Sequence, residues 1–101
     1  MQRTMRTSSL QTATTSTAPA VLVQPSPNRT ALLFLAPVST ATVTVNTRPP
    51  AAEGDGILLQ SGAGAVQLTR ELHGDIVGQA WFARASGAAV LATWVESMGG
   101  A

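Results

Sequence analysis

Residues 30–47 read TALLFLAPVSTATVTVNT, and the change of pattern at Pro37 decides the fold class. Side chains of an extended segment point alternately to opposite faces. Before Pro37, Leu32 and Phe34 therefore lie on one face and Leu33 and Leu35 on the other. Both faces are apolar, which predicts a central strand covered on both sides. After Pro37, Thr40, Thr42, Thr44 and Asn46 alternate with Ala41, Val43 and Val45. That is the pattern of a strand with one face in water.

The same punctuation continues in both directions. Upstream, VLVQ (21–24) reads as a short strand stopped by Pro25-Ser26-Pro27-Asn28. Downstream, a loop over 48–56 leads to ILLQ (57–60) and a glycine turn at 61–64. AVQLTREL (65–72) then places Val66, Leu68 and Leu72 on one side, and His73-Gly74-Asp75 turns the chain again. Two last strands, IVGQAWFARA (76–85) and AAVLATWVES (88–97), are joined by Ser86-Gly87. Frequent turn signals and no 3.6-residue period predict an all-β protein with minimal helix. The expected fold is a small single-domain β-sandwich, jelly-roll or barrel of about seven short strands with an extended N-terminal arm. Residues 1–19 form the extended or disordered arm, 20–98 the compact β domain and 99–101 a flexible tail.

If Ser86-Gly87 is a two-residue hairpin turn, Phe82 faces Leu91, Trp81 faces Ala92 and Gln79 faces Trp94. The two tryptophans then share one face as diagonal neighbours. They fill the core, or they form a contact surface, since tryptophan combines large area with a polar N–H.

The totals narrow the function. The 101 residues allow one domain and one small core. Six basic residues, all Arg, stand against five acidic ones, for a net charge of +1. This gives no electrostatic case for nucleic acid or an anionic membrane. Four of the arginines (Arg3, Arg6, Arg29, Arg48) precede the first acid, Glu53, so the N-terminal part is basic and the rest acidic. There is no cysteine, hence no disulfide, thiolate nucleophile or sulfur metal site. The longest apolar run, Ala31–Val38, is too short to span a bilayer.

The opening MQRTMRTSSLQTATTSTAPA (1–20) has the basic start and small-residue end of an export leader. Its middle carries only Leu10 as a large apolar residue, so it lacks the apolar centre a leader needs. Alone it cannot bury enough area to offset the entropy of ordering. It reads as a mobile tail, or as an arm whose threonines pair with a sheet edge on another subunit. Arg3, Arg6 and Leu10 of this arm, with Trp81 and Trp94, are the candidate protein-contact residues.

No constellation supports catalysis. His73 lies between Glu71 and Asp75 but has no second histidine or cysteine to complete a metal sphere. Glu53 and Asp55 lack the ligand density of a calcium loop. The Gly54-Asp55-Gly56 and Gly62-Ala63-Gly64 turns have no Walker lysine, and no Gly-x-Ser-x-Gly elbow is present. The expectation is a non-enzyme without cofactor, metal or small-molecule substrate.

PNRTALLFLAP (27–37), GILLQSGAGAVQL (56–68) and GDIVGQAWFARASGAAVLATWVE (74–96) together resemble small β-rich virion proteins of tailed bacteriophages. The shared features are Asn28-Arg29 before the first long strand, Gly56-Ile57-Leu58-Leu59, and Gly78 ahead of the aromatic Trp81-Phe82. The run closes with Ser86-Gly87-Ala88-Ala89 and a last strand ending in Glu96. Ala36-Pro37-Val38-Ser39 departs from the asparagine-containing turn such chains often carry. The resemblance implies a capsid decoration or cement protein on the outer surface of the virion, made in the host cytoplasm. It would bind the major capsid protein and copies of itself, with a homotrimer as the expected oligomer. A tail, vertex or head-fibre part is the alternative within that class, and a carbohydrate-binding β module the alternative outside it.

Overall fold

The computed structural model describes residues 6–62 and 64–99. In chain order the elements are β1 (Arg6–Thr15), β2 (Ala20–Val23), β3 (Arg29–Leu35), β4 (Val43–Asn46), β5 (Ile57–Leu59), β6 (Val66–Thr69), a one-turn helix α1 (Arg70–His73) with a 3₁₀ turn (Gly74–Gly78), β7 (Trp81–Ala85) and β8 (Val90–Gly99). The strands form two four-stranded sheets, ordered β1-β8-β3-β6 and β2-β7-β4-β5. Every pairing is antiparallel. Consecutive strands lie in opposite sheets except β4 and β5, which pair within one, and this is the double-sheet jelly-roll arrangement.

The core lies between the sheets. The first sheet contributes Leu32, Phe34, Leu68, Val90, Ala92 and Trp94, the second Val23, Val43, Val45, Leu59, Trp81 and Ala83. Phe34 and Trp81 meet across this layer with ring centroids 5.4 Å apart and planes at 59°, a tilted geometry that suits the ring quadrupoles. Each tryptophan buries about 150–250 Å², which at about 25 cal/mol/Å² stabilises the fold by roughly 4–6 kcal/mol.

The expected β7–β8 hairpin does not form. β7 pairs with β2 and β4, while β8 pairs with β1 and β3. The link over 86–89, with Ala89 at φ +57°, carries the chain from one sheet to the other. A hydrogen-bonded hairpin would leave the large apolar set of β7 and β8 on a single sheet face. Dividing the strands lets Trp81, Ala83 and Ala85 face Val90, Ala92 and Trp94 across the core.

Three smaller expectations also change. The strand over 65–72 stops at Thr69, whose hydroxyl accepts from the Leu72 amide at 3.3 Å and caps α1. Leu72 is consequently 79% exposed. Ile76–Gly78 belongs to the 3₁₀ turn rather than to β7, with Val77 buried. Thr44, expected in water, is buried. The loop over 47–56 folds back on it, and the Gly54 amide donates to its hydroxyl at 3.0 Å.

Candidate interaction surfaces

The arm holds the longest sheet edge. Residues 6–15 form β1, paired along its whole length with the chain's own β8, from Arg6 opposite Gly99 to Thr15 opposite Val90, with no register shift. Side chains anchor it mainly at its C-terminal end, with the Ser8 and Ser97 hydroxyls 3.1 Å apart near its start. Thr15 is buried and donates to the Val90 carbonyl at 2.6 Å, and Ala13 packs on the core. Ser9 and Leu10 are exposed, Leu10 by 65%. Apart from the Ser8–Ser97 contact, the backbone ladder to β8 holds the rest.

The four outer strands of the two sheets differ in how they present their free edges. β2 is four residues with a register irregularity between Val21 and Val23, β5 is three residues, and β6 is four. Shortness and bulges are what proteins use to blunt edges, along with charge and proline. Thr7–Thr15 has none of these. β1 is thus the one long, unblunted edge among the described strands.

The other candidate residues are placed as follows. Arg3 lies outside the described residues, and Arg6 is placed as the first residue of β1. Trp81 and Trp94 point inward from opposite sheets and are 3% and 5% exposed. The Trp81 indole N–H donates to the Ile76 carbonyl at 3.0 Å, and that of Trp94 to Glu96 Oε2 at 3.3 Å. Core packing accounts for both rings. Neither offers a contact surface or a platform on which a sugar could stack.

Sequence reasoning missed the most connected side chain. Arg29 opens β3 and is 1% exposed. Its Nε donates to Glu96 Oε1 at 3.0 Å, and its Nη1 to the carbonyls of Val77 at 2.8 Å and Gln79 at 3.1 Å. Nη2 donates to the Gln24 carbonyl. One guanidinium ties together the start of β3, the end of β8, the exit of β2 and the 3₁₀ turn. Its planar fork of five donors suits such convergence. Beside it, Arg70 donates to the Arg29 carbonyl and to that of Pro27, each at 3.1 Å, and pairs with Asp75 at 3.1 Å. Only the Asn28-Arg29 pair of the phage resemblance touched this position.

Arg48 and Asp55 brace a loop. Arg48 grips both oxygens of Asp55 at 2.7 Å. That bond, helped by the Ala51 amide, lowers the Asp55 carboxyl to about 2, and the same pairing raises Arg48. Asp55 thereby fixes the loop that covers Thr44. His73 Nδ1 accepts from the Thr69 amide at 3.0 Å across α1. Among the described residues no group of three or more His, Cys, Asp or Glu side chains stands together, and no helix is long and apolar enough to cross a membrane.

No protein-family model matches the chain, and no curated protein matches it in sequence. Among solved structures, a chain described under Bacillus endospore appendages forming a family of disulfide-linked pili superposes with a TM-score of 0.57 at 11% identity. The match covers 96% of this chain and 87% of that one. At that identity the likeness is one of fold.

Proposed function

We propose that this chain is a non-enzymatic structural subunit of a bacteriophage head, a decoration protein that adds to the assembled major capsid protein and to copies of itself. The observation that carries its assembly role is the edge of β1, with no charge, proline or bulge between Thr7 and Thr15. Such an edge is a template for strand addition, in which main-chain hydrogen bonds supply affinity. The assignment to a phage particle rests on the sequence resemblance of residues 27–96. Every subunit docked on a lattice stabilises the assembled state by mass action.

A filament of the chain's own copies is the second reading, favoured by the fold shared with a chain from pili. Those pili are disulfide-linked, whereas this chain has no cysteine. Contacts between its copies would have to be non-covalent.

Quantitative mass spectrometry of purified particles tests the proposal. Decoration of the shell predicts a ratio to the major capsid protein near one or a simple lattice fraction of it, and a chain lacking residues 1–15 should bind capsids more weakly. A few copies per particle would move the protein to a tail or vertex. Absence from particles, with fibres formed by the purified chain, would replace the first reading by the second.

A further inference from the structure

Among the described residues nothing covers the outer face of the β1-β8-β3-β6 sheet. Its cross-strand rows follow from the pairing. Leu10, Val95 and Leu33 stand side by side across three strands, and Ser8, Ser97 and Ala31 form the next row. The first row is a ridge of branched apolar side chains. The second, built of small residues, is the floor of an open hollow of about 580 Å³ walled by Thr69, Arg70 and Glu71. Beyond the ridge lie Leu35 and Leu91, the latter 48% exposed. No charged residue projects from these rows. β3 carries apolar residues on both faces, the composition of a strand covered twice, yet only its Leu32 and Phe34 side is fully buried.

The geometry points to a second copy of this chain as the cover, packed through the same face about a two-fold axis. A ridge beside a parallel hollow is self-complementary. With the axis lying between the two faces and parallel to the rows, the ridge of each copy enters the hollow of the other. The rows are two residues apart, about 6.8 Å at strand rise, so the fit fixes the register. Two-fold contacts of this kind use the same patch on both subunits. Charge depletion at the centre is the compositional mark of an interface core, and the charged Arg70 and Glu71 stand only at the wall of the hollow. Four strands at about 4.8 Å spacing and seven residues of β1 cover a patch on the order of 20 by 24 Å. The pair would bury about 1,000 Å², the threshold for a specific contact. The free edge of β1 lies beside this face, so the dimer leaves it open for strand addition.

Native mass spectrometry of the full chain at micromolar concentration reads the outcome. The expected species is a dimer of the 10.3 kDa chain. Leu10→Arg, at an exposed position that costs the fold little, should weaken dimerisation at least tenfold. Ala52→Arg, exposed in the loop over 47–56 that joins two strands of the other sheet, should leave the dimer intact. Because the chain has no cysteine, register is tested directly by mixing Ser8→Cys chains with Leu10→Cys chains. The mixed disulfide should form in preference to either homodimer, since Leu10 of one copy lies over Ser8 of the other. A monomer, a trimer, or a dimer indifferent to Leu10→Arg overturns the inference, as does a preference for the homodimeric disulfides. These outcomes are separable from the virion reading. A monomer that is found in particles refutes the two-fold contact alone, and a dimer absent from particles refutes the virion assignment alone.

Discussion

Replacing Arg29 tests whether one buried guanidinium holds the ends of the two sheets together. In Arg29→Met the methionine fills much of the same volume, but Glu96 loses its partner at 3.0 Å and the carbonyls of Gln24, Val77 and Gln79 lose their donor. Breaking a buried ion pair from one side costs about 3–5 kcal/mol, because the surviving charge stays buried and uncompensated. Two features place this case at the lower end of that range. The Glu96 side chain retains 16% exposure, and the Trp94 indole still donates to it. The three carbonyls pull the other way, since an acceptor left dry costs about 1–3 kcal/mol. A net loss of about 3–4 kcal/mol is expected, a large share of the roughly 5–15 kcal/mol that holds a domain of this size together.

Urea unfolding followed by tryptophan fluorescence is the assay, with Trp94 beside Glu96 as the reporter. For a slope of about 1–1.5 kcal/mol/M, the midpoint should fall by about 2 M or more. Arg29→Lys should lie between wild type and Arg29→Met, because a lysine keeps the charge but not the planar fork. Adding Glu96→Leu to Arg29→Met should recover part of the loss by removing the stranded carboxylate. A midpoint within about 0.5 M of wild type for Arg29→Met would show that water reaches the site and that the network does not hold the sheets.

Other consequences follow from particular contacts. Asp55 titrates at about 2 when folded against an ordinary 3.8, so its pairing stabilises the native state above 3.8 and is lost as the pH falls through about 2. Acid unfolding of Asp55→Asn should therefore be less steep over that interval than that of wild type. Gly56 sits at φ +137°, where an added Cβ would run into the Val45 carbonyl and lie 2.9 Å from the Asn46 Cβ. Gly56→Ala should cost roughly 1–3 kcal/mol and lower the melting temperature, whereas Gly87→Ala, with nothing near it, should not. Both indoles are buried, so acrylamide should quench native fluorescence weakly and glycans should leave it unchanged. Trp94→Ala should cost about 3–5 kcal/mol.

How far the sequence carries the reader varies with how local each determinant is. Alternation over 30–47 located β3 and β4 and the inward Val43 and Val45, but not which apolar face of β3 is inward, since Leu33 and Leu35 read as covered just as Leu32 and Phe34 do. The pairing of β7 and β8 was not legible, because the same inward set of Trp81, Ala83, Ala92 and Trp94 arises whether two strands are neighbours or face each other across a core. β1 has no apolar face over most of its length, so periodicity gave no sign of a strand. It is ordered by the ladder that β8 offers it. Thr44 reads as solvent-facing until a loop ten residues ahead folds over it. Arg29 is harder still, because a lone arginine before an apolar strand resembles any surface cation. Only tertiary structure brings the Gln24, Val77, Gln79 and Glu96 acceptors to it.

The placement of charge bears on how folding and assembly are divided in this chain. Arg29, Arg48, Arg70 and Arg84 each donate to an acceptor within the chain, three of them with a carboxylate partner. They serve loops and sheet ends rather than a partner. The central rows of the β1-β8-β3-β6 outer face and the edge from Ser8 to Thr14 are the complement, without charged side chains and, Ala13 apart, outside the core. Substitutions on the two sets should therefore separate. Leu10→Arg should change the mass of the native species and leave the urea midpoint, measured on monomers, near wild type. Arg48→Ala should destabilise the loop over 47–56 and leave the mass unchanged. If Leu10→Arg lowered the monomer midpoint as much as it weakened association, the outer face would be part of what folds the chain, and its exposure would not mark an interface.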